Sequence, residues 1–161
     1  GQAEGAYRSA WGQEFGPAWE RAMAYTLEVA EAMPAAHYRY TATEPVMDFG
    51  SQLVHIADNW YFLCSRYVRE EAFPVTRIPA DSLDKAGVIA YLQGAFAYAT
   101  TSLRSTSDSS LSAPVPDFFA QLRISKAGIV RLMRDHMTHH RGQCVLYLRL
   151  QGIEPPRYRG W

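Results

Sequence analysis

The stretch Asp135-His136-Met137-Thr138-His139-His140-Arg141-Gly142-Gln143 holds three of the chain's five histidines. Read as helix, at about 100° per residue, it sets His136 and His140 one turn apart on one face, so both imidazoles can reach one point. His55 lies far upstream in a second helical segment. Three neutral imidazoles converging from two helices would make a divalent-metal site with coordination positions left open, as in catalytic rather than structural zinc. On the same projection Gln143, Tyr147 and His139 fall within about 60° of His136, so a polar stripe runs along an otherwise apolar helix. Buried polar groups need partners, and this stripe must find them in mutual hydrogen bonds or in a metal. A lone histidine on such a face reads as a satisfied core residue. Two at i, i+4 with a third on a partner helix favour the metal.

Three imidazoles suit Zn²⁺, Ni²⁺, Cu²⁺ or Fe²⁺, and affinity order does not choose among them; zinc or nickel is taken first. A water bound there would be acidified toward neutrality and become a nucleophile. The zinc-protease pattern HExxH fails, because Met137 stands where its glutamate must be. Neither a glycine-rich phosphate loop nor a Ser/His/Asp set is recognisable. Asp58 and Asp135 are the acids nearest in sequence to these histidines. Either could orient an imidazole through its second nitrogen or act as a base, although Asp135 projects about 100° from His136 and reads as surface. No catalytic residue is assigned.

The elements that must position these groups read as four long helices. In the first segment, 7–33, aromatics recur every fourth residue at Tyr7, Trp11, Phe15 and Trp19, a stripe that reads as core or dimer surface rather than a ligand box. Gly16-Pro17 is expected to start a new helix there, leaving 1–16 as a leading arm or short helix; a continuous kinked helix is the alternative. Residues 34–47 read as an extended connection with His37 an ordinary loop histidine. Asp48 or Ser51 then caps a second helix running to about Glu70. His55 lies at the edge of its apolar stripe, with Gln52, Asp58, Asn59 and Phe62 as neighbours. Prolines 74 and 79 make 71–81 a loop. Asp81 or Ser82 is expected to cap the third helix, which ends in a polar run, 105–110, with no packing capacity. The segment Leu111–Asp117 either crosses the end of the bundle or forms a short strand pair. The fourth helix runs from a Ser125 cap to about Gln151, where Gly152 offers a left-handed C′ position and Pro155-Pro156 prevent continuation. No repeat is visible, and the fold class is all-α, one four-helix-bundle domain over 1–161.

Composition bounds the function. The chain has 161 residues, 48% of them hydrophobic, and equal numbers of basic and acidic side chains, 16 each. Zero formal charge argues against a nucleic-acid binder. Arg131, Arg134, Arg141, Arg149, Arg157 and Arg159, on the last helix and its tail, read as a solvated face. No apolar run approaches the ~20 residues that span a bilayer. Cys64 and Cys144 lie in apolar runs and read as buried free thiols. The opening Gly1-Gln2-Ala3-Glu4-Gly5 reads as what remains after a tag, or a tag and a signal peptide, has been removed. A cytoplasmic location is expected, with export left open.

These residues resemble the DinB/YfiT-like superfamily of bacterial metal-binding helix bundles. Its members carry a histidine in the second helix and an ending His-x-x-His-His-Arg-Gly-Gln…Tyr-Leu-Arg…Gly…Pro. Here the matching residues are Leu53-Val54-His55-Ile56-Ala57, then His136 to Gln143, Tyr147-Leu148-Arg149, Gly152 and Pro155-Pro156. The resemblance implies that His55, His136 and His140 are the metal ligands, with His139 beside the site. It implies an up-down-down-up order of helices and often a homodimer. Some relatives resemble thiol-dependent S-transferases, in which a metal would lower the pKa of a low-molecular-weight thiol and present its thiolate to a small-molecule electrophile. The function expected is therefore a metal-dependent transferase, or as a close variant a hydrolase, in stress or detoxification chemistry. A non-catalytic metal-binding stress-response bundle is the alternative. The aromatic N-terminal segment departs from the family's short leader and would serve as a dimerisation arm or a lid.

Overall fold

Each long helix starts where a short polar side chain accepts the amide proton three residues on. In the computed structural model, which describes residues 5–116 and 118–160, Ser9, Asp48, Asp84 and Ser125 accept from the amides of Gly12, Ser51, Gly87 and Gly128, respectively. These caps open α1 (Ala10–Ala32), α2 (Phe49–Leu63), α3 (Lys85–Ser105) and, last in the chain, α5 (Lys126–Leu150). A fifth, short helix, α4 (Asp108–Ser112), leads into the strand pair β1 (Pro114–Val115) and β2 (Ile124–Ser125). The strands pair antiparallel, Val115 opposite Ile124, so the strand reading of 111–117 holds for the described residues. Asp117 and Gly1 to Glu4 of the opening stretch lie outside them.

The chain continues past α2 as a π-helical turn, Cys64–Arg69, and stops at Glu70, whose φ of 56° is left-handed. That places the end of the second helix where the sequence does, with wider winding over its last turn. At the other end of the chain Gly152, at φ 72°, is the C′ glycine of α5.

Three expectations are corrected. The helix does not restart at Gly16-Pro17: α1 runs through it, so residues 10–16 are helix and not an arm. Proline removes one amide donor, but the first turn is held from outside itself, because Ser9 caps Gly12 and both Asp108 carboxylate oxygens accept from the amides of Ala10 and Trp11. The third helix is capped by Asp84 rather than Asp81 or Ser82, which form a 3-10 turn, the Ser82 hydroxyl donating to the Pro79 carbonyl. The connection 34–47 is not extended throughout, because Ala35–His37 form a 3-10 turn; the polar run 105–110 buries none of its residues, as expected, although its Asp108 accepts from the first amides of α1.

The helices meet through named contacts. Lys85 at the start of α3 donates to the Glu31 carbonyl at the end of α1 (2.6 Å), and the Arg8 amide donates to the Arg104 carbonyl at the end of α3 (2.9 Å). Trp60 of α2 donates through its indole to the Met133 carbonyl of α5 (3.0 Å), while Tyr147 of α5 donates to Met47 just before α2 (2.9 Å). Trp60 is the centre of the core, its ring 4.2 Å from Trp19 of α1 and 4.7 Å from Phe96 of α3. Leu53, Ile56, Leu92, Ile129 and Met137 are fully buried around it. The aromatic stripe of α1 is thus divided: Trp19 is core, whereas Trp11 and Phe15 stack on each other at 4.5 Å beneath Arg131 and Arg134.

Candidate metal centre

His55 comes from the middle of α2, and His136 and His140 come from successive turns of α5. The Trp60–Met133 and Tyr147–Met47 hydrogen bonds hold these two helices at opposite ends of their contact. Between them the three Nε2 atoms converge: His136 lies 3.0 Å from His55 and 3.2 Å from His140, and all three donor atoms lie within 4.8 Å of one another. Metal–nitrogen bonds of ~2.0–2.1 Å at ordinary coordination angles give nitrogen–nitrogen edges of about 3 Å, so two of the three edges already match.

Protonation makes the fit stronger. His140 Nδ1 lies 2.6 Å from Gln52 Oε1, and the Gln52 amide nitrogen donates to the Met47 carbonyl (3.3 Å), which fixes the oxygen as the end facing the histidine. Nδ1 of His140 is then the donor, and its Nε2 holds a bare lone pair aimed at His136. No neutral assignment satisfies both Nε2–Nε2 contacts with full hydrogen bonds, because one N–H on His136 faces two acceptors. A cation satisfies all three at once. Burial pushes His136 and His140 down to about 4, each lowered further by its neighbouring imidazoles. His55 is also lowered by burial, with the Asp58 charge opposing. All three are therefore neutral, ligand-ready bases at neutral pH. His140 is 8% exposed and His55 is open to solvent, so the cluster has a buried and an accessible side.

The remaining candidates fall into place around it. His139 is exposed, its ring edge-on to His140 at 4.8 Å, beside the cluster and not in it. His37 ends the 3-10 turn Ala35–His37 of the connection before α2 and is bonded to Gln151, away from the cluster. Asp135 is exposed, and Asp58 accepts from the Tyr91 hydroxyl at 2.5 Å with Arg77 at 3.8 Å. Neither acid hydrogen-bonds a histidine; the orienting role belongs to Gln52, which the sequence shows only as a neighbour of His55. Gln143 keeps its place on the stripe, its buried Oε1 without a partner among the described residues.

Arg141 corrects the reading of a solvated arginine face. It is 3% exposed, donates to the Ala22 carbonyl and Thr26 hydroxyl of α1 (3.2 Å each), and lies over the Tyr25 ring. Cys64 and Cys144 are buried free thiols, and burial raises both, Cys64 to about 11. No described helix is long and apolar enough to cross a membrane.

Solved structures of similar fold include proteins from three bacteria. A DinB-like protein from Bacillus cereus superposes with a TM-score of 0.75 at 15% identity, covering 94% of this chain and 99% of its own. A DinB-like protein from Bacillus subtilis gives 0.72 at 17%, covering 90% and 97%, and a conserved protein from Enterococcus faecalis gives 0.70 at 14%, covering 86% and 95%. No curated protein matches the chain. The sequence model of the DinB family matches residues 9–160, a span that takes in His55, His136 and His140, and the chain belongs to the DinB family.

Proposed function

We propose that His55, His136 and His140 hold a divalent metal through Nε2, zinc or nickel first, and that the protein is a metal-dependent enzyme of stress or detoxification chemistry. The reaction assigned is transfer by a low-molecular-weight thiol, with hydrolysis as the close variant. The convergence of three neutral imidazole nitrogens from α2 and α5 carries this reading. When bound, such a cation lowers the pKa of a thiol or water on its open side.

The chain's own residues then have definite tasks. Gln52 keeps the lone pair of His140 on Nε2. His55, on the accessible side, leaves an approach for a second molecule. Burial keeps both cysteines as thiols, so the nucleophilic sulfur must arrive on a separate small molecule.

The same reading takes the whole chain as one four-helix domain in up-down-down-up order. The Lys85–Glu31 contact supports α3 antiparallel to α1, the Tyr91–Asp58 and Tyr98–Tyr61 contacts support α3 parallel to α2, and Trp60–Met133 supports α5 antiparallel to α2. A homodimer belongs to it too, and a monomeric mass in solution would remove that part. The deciding experiment is elemental analysis of protein purified without an affinity metal, wild type against His136→Ala. About one equivalent of transition metal, lost in the variant, is expected; no metal in either would return the histidines to the core, and thiol transfer that persisted after metal loss would sink the enzymatic assignment.

A further inference from the structure

Beside the histidine cluster lies a cleft of about 400 Å³, within the size range of small-molecule sites. One wall is α2, where Ser51, Val54, His55 and Asp58 line it at i, i+3, i+4 and i+7, a single helical stripe. The facing wall is the loop 77–80, with Arg77, Ile78 and Pro79. His55 is therefore shared between the metal cluster and the cleft.

The loop wall is fastened in place. Arg39 donates to the Ala80 carbonyl at 2.8 Å and pairs with Asp48, the cap of α2, at 3.4 Å. The guanidinium of Arg77 lies 4.2 Å from the centre of the Phe73 ring, which in turn packs on Tyr61. Stacking on an aromatic face leaves the N–H edges of a guanidinium available in its plane. Among the described residues their one ion pair is to Asp58 Oδ1 at 3.8 Å, well beyond the ~2.7–2.9 Å of a charge-assisted hydrogen bond. That same Asp58 oxygen already accepts from Tyr91 at 2.5 Å. No hydrogen bond to the Arg77 guanidinium is made by the described residues. The Arg77 side chain is 56% exposed, so water solvates the edges that the protein leaves open. Here a cation with five N–H donors is held at a cleft that Val54, Ile78 and Pro79 line with apolar surface and Ser51, His55 and Asp58 with polar groups.

We propose that this cleft is the substrate site of the metal centre and that Arg77 selects its ligand, a small molecule bearing a carboxylate on an apolar body. The inference rests on the metal-dependent reading above for its chemistry, but the carboxylate preference itself does not need the metal. Arg77 fixes the carboxylate end, the apolar walls take the body, and His55 marks the end nearest the cluster.

The test is a calorimetric titration of the full chain with 3-phenylpropionate and with its uncharged amide, 3-phenylpropionamide. The wild type is expected to bind the carboxylate about tenfold more tightly, the usual size of a charge-assisted hydrogen-bond contribution. Arg77→Gln is expected to level the two ligands, and Arg77→Lys, which keeps the charge and loses the fork, to fall between. Equal binding by the wild type, or a preference that survives in Arg77→Gln, overturns the proposal. Metal content is measured on the same samples. Absence of metal would sink the metal reading and leave the carboxylate preference standing or falling on its own result.

Discussion

An amide oxygen cannot donate a proton, and that fact sets the tautomer of His140. Gln52 is fully buried and its Oε1 lies 2.6 Å from His140 Nδ1. Replacing it with leucine keeps the volume and leaves a buried N–H without an acceptor, a loss of about 1–3 kcal/mol. The imidazole is then free to adopt the other tautomer, which blocks Nε2. Gln52→Leu is expected to weaken zinc binding by roughly 10–100-fold, the usual cost of removing such an orienting partner, while Gln52→Glu, still an acceptor, retains most of it. Competition against a chromogenic chelator reads both, and unchanged affinity in Gln52→Leu would end the orienting role. At this scale the i, i+4 pair His136 and His140 was legible because helical geometry alone puts the two rings together. Gln52 was not, since its partner lies 88 residues away and the register of α2 on α5 is set by packing around Trp60. Arg141 misled for a related reason: its charge reads as surface, yet Thr26 and a carbonyl of α1 take its protons in the interior.

Helix ends carry the next level of control. The start of α1 is capped twice, by its own Ser9 and by Asp108 of α4, whose two carboxylate oxygens lie 2.8 and 3.2 Å from the amides of Ala10 and Trp11. A negative charge at a helix N-terminus also meets the positive end of the helix dipole. Asp108→Ala is expected to lower stability by about 1 kcal/mol, and Asp108→Asn by less, with an unchanged denaturant slope in urea unfolding. A null effect of the alanine change would mean that Ser9 suffices and that α1 crosses Pro17 without this support. Local caps were readable where one polar residue stood alone before an apolar run, as at Ser125. Before α3 the cluster of Asp81, Ser82 and Asp84 offers three starts, and only the reach of the Asp84 carboxylate to the Gly87 amide, 2.8 Å, decides. A cap supplied from 98 residues away has no sequence signal at all.

The whole molecule meets its pH limit through the same cluster. In the unfolded chain histidine titrates near 6.5, whereas burial among other imidazoles holds His136 and His140 at about 4. Between those values the unfolded state binds more protons than the folded one, so stability rises with pH across that window. The sign is that of a depressed pKa: the contribution is complete above about 6.5 and is lost as pH falls toward 4. Urea unfolding of the metal-free protein is expected to be flat from pH 7 to 8 and to weaken from pH 6 to 4. Carboxylates also titrate at the low end, so the informative comparison is with the double variant His136→Asn/His140→Asn, in which the decline must be shallower. Identical pH profiles would show that these rings titrate freely in the folded state. A metal held as proposed would steepen the dependence, because protons and the cation would compete for the same three lone pairs. Wild type at saturating zinc is therefore expected to gain most over the metal-free protein near neutrality and almost nothing near pH 4. A zinc gain that did not shrink with acid would place the ion on ligands other than imidazole.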